Sequence, residues 1–302
     1  MSQTKPSLLK IYWILMKPRV VFLLQVTALC GIFTYDFKEG YDSGRTYIDS
    51  FTTSLIVLIG GTMASGGSMA VNMWYERDID PLMERTENRP IQAGFISPNH
   101  ALLFGISISL IGIILVSLLT NLNAGIITAL SALFYTVIYT MVLKRRTPQN
   151  IVIGGAAGAL PPLIGWVSVS GGINSFPVIL FFLIFIWTPP HFWALSLFSE
   201  NDYGKVGLPM LPNVLGKKTT IKSIIKYSYL LYLVSLLPFF LDYSGILYLV
   251  ISVILNTLFL YMAYCIKPND IKSSKKLFKY SIFYLFMIFI ALIVDSFLTF
   301  YW

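Results

Sequence analysis

Nine apolar runs, each long enough to cross a bilayer, dominate this chain. They fall at roughly 18–36, 52–75, 101–120, 123–143, 150–170, 176–198, 224–242, 245–265 and 280–301. A spanning helix needs about 20 apolar residues. The runs are continuous and do not alternate, which argues against β-barrel spans. Only 12% of residues are charged and 56% are hydrophobic, whereas a soluble domain carries about 25% charged residues. The chain is therefore read as an all-α integral membrane protein with nine transmembrane helices, a single domain over 1–302.

The basic residues orient it. With the N-terminus in the cytoplasm, the inner segments hold Lys5, Lys10, Lys17, Arg19, Arg77, Arg85, Arg89, Lys144, Arg145, Arg146 and the lysines from Lys205 to Lys279. Of the 22 Lys and Arg, only Lys38 and Arg45 fall outside. That asymmetry matches the positive-inside rule. The net charge of +8 is then a signal of topology and anionic lipid, not of nucleic-acid binding. Cys30 and Cys265 lie inside spans, so neither a disulfide framework nor a thiolate metal site is expected. The first twenty residues lack a small-residue cleavage site and an Arg/Ser-rich transit character. This points to a retained first helix and a prokaryotic plasma membrane. Asp295, near the outer end of the last span, reads as an interface residue.

Most of the polar chemistry sits in two inner loops, 76–100 and 199–222. At the first, NMWYERDIDPLMERTENRP (72–90) crowds carboxylates and arginines against the end of an apolar run. Asn72, Glu76 and Asp80 are spaced i, i+4, i+8 and share one face of a helix. An amide and two carboxylates on one face suit a hard cation such as Mg²⁺. Arg85 and Arg89 repeat the i, i+4 spacing, and guanidinium forks suit phosphate oxygens. Pro81 marks a kink or break. Lys144-Arg145-Arg146 reads first as a membrane anchor. Its place beside a Pro- and Gly-rich span also makes Lys144 and Arg145 candidates for binding a diphosphate.

Asn-x3-acid-x3-Asp at the end of the second of nine spans resembles the first motif of the UbiA-type intramembrane prenyltransferases. The string DIDPLMERTENRP resembles the haem O synthase branch of that family. So do YTMVLKRRTPQN (139–150), GGAAGALPPLIGW (154–166) and WTPPHFWALSLFSENDYGKVGLPMLPNVLG (187–216). Four motifs in order spread the resemblance over most of the chain. It implies a UbiA-type helical bundle and a Mg²⁺-dependent transfer of farnesyl from farnesyl diphosphate to a vinyl group of haem b. Water adds in the process, giving haem O and diphosphate. The implied partners are farnesyl diphosphate, haem b and the lipid bilayer, with haem A synthase or a terminal oxidase assembly downstream. The catalytic loops would lie on the cytoplasmic side.

The resemblance also implies residue roles. Asn72, Glu76, Asp80 and Asp202 would hold the metal and act catalytically. Arg85, Arg89, Lys144, Arg145 and Lys205 would bind the diphosphate. The wider family's second Asp-x3-Asp motif is broken here, because Val206 stands four residues after Asp202. His191 follows Thr188-Pro189-Pro190. Paired prolines are expected to open the helix there, leaving the imidazole to meet the haem iron, a propionate or water. The glycines at 154, 155, 158 and 165 read as close-packing positions. Two other readings remain: a UbiA-type enzyme acting on a quinone precursor or lipid, and a cation transporter. Transport sites lie near the bilayer midplane, where this chain is almost uncharged.

Overall fold

The computed structural model describes residues 6–301; Lys5 lies outside them. A short helix, α1 (Leu8–Leu15), precedes the first span and is capped by Ser7, which accepts from the Lys10 amide. Its Ile11 and Leu15 are buried against the second span, while Leu8, Leu9 and Trp13 are exposed. An apolar outer face on a helix at a bundle's rim suits the membrane interface. The chain turns at Lys17, whose backbone is left-handed (φ 49°, ψ 61°), and Pro18 opens the next helix. Proline favours that first helical position.

The spans follow as α2 (Pro18–Tyr35), α3 (Tyr47–Tyr75), α4 (Pro98–Leu119), α5 (Leu122–Leu133) and a π-helical extension of α5 (Phe134–Leu143). Next come α6 (Asn150–Ala159) and α7 (Pro161–Ser170), two halves of one span broken at Pro161-Pro162, and α8 (Ser175–Phe198). After the short α9 (Glu200–Lys205) come α10 (Leu211–Phe240), α11 (Ile246–Tyr264) and α12 (Ile271–Tyr301). Among the described residues nine helical segments are long and apolar enough to cross a membrane. The chain is a multi-pass membrane protein.

Small residues let the spans approach. A Cβ on Gly67 would strike the Gly105 carbonyl, and one on Gly112 the Gly60 carbonyl, so α3 and α4 touch backbone to backbone. Ser109 donates to the Ala64 carbonyl across the same seam (3.0 Å). Gly31 and Gly165 join α2 to α7 in the same way. Lipid gives apolar helices no hydrophobic reason to associate, so such close contacts and buried hydrogen bonds must hold them. Of the expected packing glycines, Gly154 faces the Tyr139 ring and Gly155 faces Thr188, whereas Gly158 meets nothing.

Three boundaries differ from the apolar runs. The second span begins at Tyr47, the seventh after a break at Gly216 (φ 79°, ψ 160°) inside α10, and the last at Ile271. In the last two, Lys217 to Lys226 and Lys272 to Lys279 stand on the first turns of the helix, where a long lysine stem can lie along apolar surface while its ammonium stays wet. Nor is α8 opened at Pro189-Pro190; it runs unbroken, packed between α6, α10 and α12, with Thr188 donating to the Ile184 carbonyl (2.8 Å). Asp295 is not an interface residue. It is 2% exposed and accepts from the Gly245 (2.5 Å) and Tyr248 (3.1 Å) amides, capping the start of α11.

Candidate active site

The basic end of the bundle gathers the termini of α2, α3, the π-helical segment and the loop after α3. The α3 helix ends at Tyr75, one turn short of the expected face. Its path nevertheless continues. The Glu76 amide donates to the Asn72 carbonyl (3.0 Å) and the Asp80 amide to the Glu76 carbonyl (2.9 Å). Asn72, Glu76 and Asp80 therefore stay in line, and at most 2% of each is exposed. Asp80 then starts a 3₁₀ turn through Pro81.

A cation faces each of the three. Lys17 donates to Asn72 Oδ1 (2.7 Å), and Asn72 Nδ2 donates to Thr140 Oγ1 (3.2 Å). Lys144 pairs with Glu76 Oε1. Arg89 Nη1 reaches both Asp80 oxygens (2.8 and 2.6 Å) and lies 3.7 Å from Glu76 Oε2. The π-helical register makes this possible: the Lys144 amide donates to the Tyr139 carbonyl, five residues back, and Thr140 Oγ1 to the Tyr135 carbonyl. π-Helical turns occur often at functional sites.

The electrostatics are lopsided. Two carboxylates face three cations, leaving one positive charge in excess. Burial alone would raise Glu76, but Lys144, Lys17 and Arg89 outweigh it and hold its carboxyl at about 2. Asp80 has one close cation, and its burial lifts it above the ordinary carboxylate value. Burial, then the charge of Arg89, push Lys17 well below an ordinary lysine. A cluster that strains to keep its own cations charged is completed by an anion. Its oxygens are also the hard donors that a divalent cation takes, so the residues fit the expected metal.

The remaining expected residues are placed otherwise. Arg85 is exposed: the turns from Met83 to Arg89 break the helical spacing, and Arg89 is the one of the two drawn onto Asp80. Arg145 is held by both Asp78 oxygens (2.7 Å each) over the Tyr75 ring, so it braces the loop. Asp202 pairs with Lys205 (3.8 Å) on α9, whose lysine is 60% exposed. Among the described residues no three acidic, His or Cys side chains sit close enough to share a metal ion, so Asp202 does not join Glu76 and Asp80. Tyr203 beside it does reach the first loop, packing with Ile79, Met83 and Ile151. His191 is enclosed between the Trp187 and Phe278 rings (centroids 4.4 and 4.7 Å), with Nδ1 2.6 Å from Ser281 Oγ. The residue missed from the sequence is Lys17. Its signal was the Lys-Pro junction, where a residue before proline is pushed out of helical conformation.

Residues 44–293 match the family model described as the UbiA prenyltransferase family. The chain is 47% identical over 289 residues to the protoheme IX farnesyltransferase of Parvibaculum lavamentivorans, covering 94% of this chain and 88% of that one. Among solved structures, a digeranylgeranylglyceryl phosphate synthase superimposes with a TM-score of 0.74 at 24% identity, covering 96% of this chain and 98% of that one. A UbiA homolog from Archaeoglobus fulgidus bound to DMAPP and Mg²⁺ gives 0.66 at 17% identity, covering 94% and 99%. The last two establish likeness of fold.

Proposed function

The chain belongs to the UbiA prenyltransferase family, alongside its protoheme IX farnesyltransferases. From that premise we propose that it transfers farnesyl from farnesyl diphosphate to a vinyl group of haem b, with addition of water, giving haem O and diphosphate. The observation that carries this reading is the charge surplus of Lys17, Lys144 and Arg89 over Glu76 and Asp80, set where the apolar spans begin. A diphosphate head fits the charged rim and a farnesyl tail fits the spans behind it.

Asn72, Glu76 and Asp80 would hold Mg²⁺, which supplies charge neutralisation of the diphosphate when bound. Arg89 and Lys144 hold the diphosphate oxygens and stabilise the charge that grows as the allylic C–O bond ionises. Arg145, through Asp78, fixes the loop that carries Asp80. The vinyl carbon attacks the allylic centre, and water captures the cation left beside the porphyrin ring, releasing a proton to leave the hydroxyl. The layer of Ile79, Met83, Ile151, Tyr203, Leu208 and Met210 keeps bulk water from the allylic centre until the carbon–carbon bond forms. Asp202 and Lys205 flank Tyr203 on α9, and a haem-binding role for His191 rests on the family resemblance. We place the protein in a plasma membrane with its basic end cytoplasmic, an orientation that the lysine and arginine asymmetry supports.

The test is mass spectrometry of haem extracted after incubating purified protein with haem b, farnesyl diphosphate and Mg²⁺. The expected product is heavier by one farnesyl group and one hydroxyl. Unchanged haem with a prenylated quinone precursor or lipid instead would reassign the acceptor.

A further inference from the structure

Lys17 differs from the other two cations of the site. Lys144 and Arg89 each face a carboxylate, whereas Lys17 faces the neutral amide oxygen of Asn72. Its position is built rather than incidental. Ile11 and Leu15 of α1 pack with Ala70, Met73, Ile91, Ile96 and Ala101. Met16 fills the notch at Gly66, where a Cβ would stand 2.5 Å from its Cε. The chain then takes a left-handed turn at Lys17 (φ 49°) directly before Pro18. Side chains other than glycine adopt that backbone at a cost, and such strain persists where surrounding packing enforces it. The Asn72 amide is oriented from its other side by Thr140 (3.2 Å), so its oxygen is turned toward the ammonium.

Every residue assigned to the divalent cation thus already faces a nitrogen cation. A metal arriving alone brings more positive charge against Lys17, Lys144 and Arg89, with no anion to offset it. A diphosphate supplies anionic acceptors. Lys17 gives up the least by moving, since it leaves an amide for a phosphate oxygen.

We propose that Lys17 is a diphosphate-binding residue whose ammonium covers the Asn72 amide oxygen until the diphosphate takes it, making metal and diphosphate bind cooperatively. This rests on the diphosphate reading above. Linkage requires each ligand to strengthen the other by the same factor.

The test uses the purified full chain, with Mn²⁺ binding followed by electron paramagnetic resonance and binding of farnesyl thiodiphosphate, a slowly ionising analogue, followed by calorimetry. In the wild type the analogue should tighten Mn²⁺ binding by about tenfold or more, the worth of a charge-assisted hydrogen bond. Lys17→Asn tolerates the left-handed backbone and removes the ammonium. It should bind Mn²⁺ alone at least as well as the wild type, while its affinity for the analogue falls by about tenfold to a hundredfold. Its coupling should shrink, and Lys17→Arg should restore part of both. Unchanged analogue affinity and coupling in Lys17→Asn would overturn the proposal. So would independent binding of the two ligands to the wild type, which decides the matter even if the variant does not fold. A wild type that binds no analogue at all would overturn the diphosphate reading itself.

Discussion

The two ends of the bundle each bury two carboxylates and use them differently. At the far end, Asp36 is fully buried and meets one cation, Arg45, through its Nε (2.7 Å), while Arg45 Nη2 donates to Thr53 (3.5 Å). Asp295 receives two backbone amides at the start of α11, the end of a helix that favours negative charge. Each of these carboxylates has its own donors, one guanidinium for Asp36 and two backbone amides for Asp295. At the basic end, Glu76 and Asp80 share three cations, one of which is held on a strained backbone against an amide. Equal burial therefore does not mean equal purpose. Donors dedicated to one carboxylate join helices, while basic side chains that outnumber the carboxylates at the membrane boundary make a place for an anion.

The comparison can be broken by substitutions at either end. The largest effect is expected from Arg45→Ala, which strands Asp36 in the bundle. Losing one partner of a buried pair costs about 3–5 kcal/mol, so the thermal midpoint in detergent should drop sharply while turnover per folded molecule holds. A comparable loss of turnover without loss of fold would erase the distinction. Asp80→Ala should do the reverse: insertion and helix content persist, and turnover falls on the order of a hundredfold to a thousandfold, as when preorganised charge stabilisation is removed. Full activity in that variant would remove Asp80 from the site.

Arg89→Ala should act chiefly on the diphosphate substrate. A hydrogen bond to a charged group is worth about 1.5–3 kcal/mol, which corresponds to a rise of roughly tenfold to a hundredfold in KM for farnesyl diphosphate. An unchanged KM would assign Arg89 to bracing alone. The smallest effect is one of pH. The folded Glu76 carboxyl sits at about 2 against an ordinary 4.5. A depressed carboxylate stabilises the fold fully above the ordinary value and loses that contribution as pH falls through the folded one. Thermal midpoints should therefore decline from about pH 4.5 downward. Glu76→Gln should flatten that part of the profile, and an identical profile in the variant would show that the cations do not act on Glu76.

The spans were legible because hydropathy over twenty residues reports burial in lipid directly. Asn72, Glu76 and Asp80 were legible because their spacing survives the end of α3: the turns after Tyr75 keep the same hydrogen-bonded rise. Where local order stops, spacing stopped informing. Arg85 and Arg89 share a helical interval but not a helix, so Arg89 is drawn onto Asp80 while Arg85 stays exposed. Lys17 and Asn72 are 55 residues apart, and Arg145 and Asp78 are 67 apart. No periodicity joins such pairs; packing of α1, α3 and the π-helical segment does. His191 was read as freed by its prolines, but α8 stays unbroken where three neighbouring helices pack on it. Asp295 was read from its depth alone, and its partners belong to another helix.

The most direct test of the account is an anomalous difference map from crystals grown with Mn²⁺ and farnesyl thiodiphosphate. The account predicts metal density bonded to Glu76 and Asp80, with the diphosphate beside it against Arg89 and Lys144. Density at Asp36 or Asp295, or a diphosphate bound away from the basic end, would contradict it.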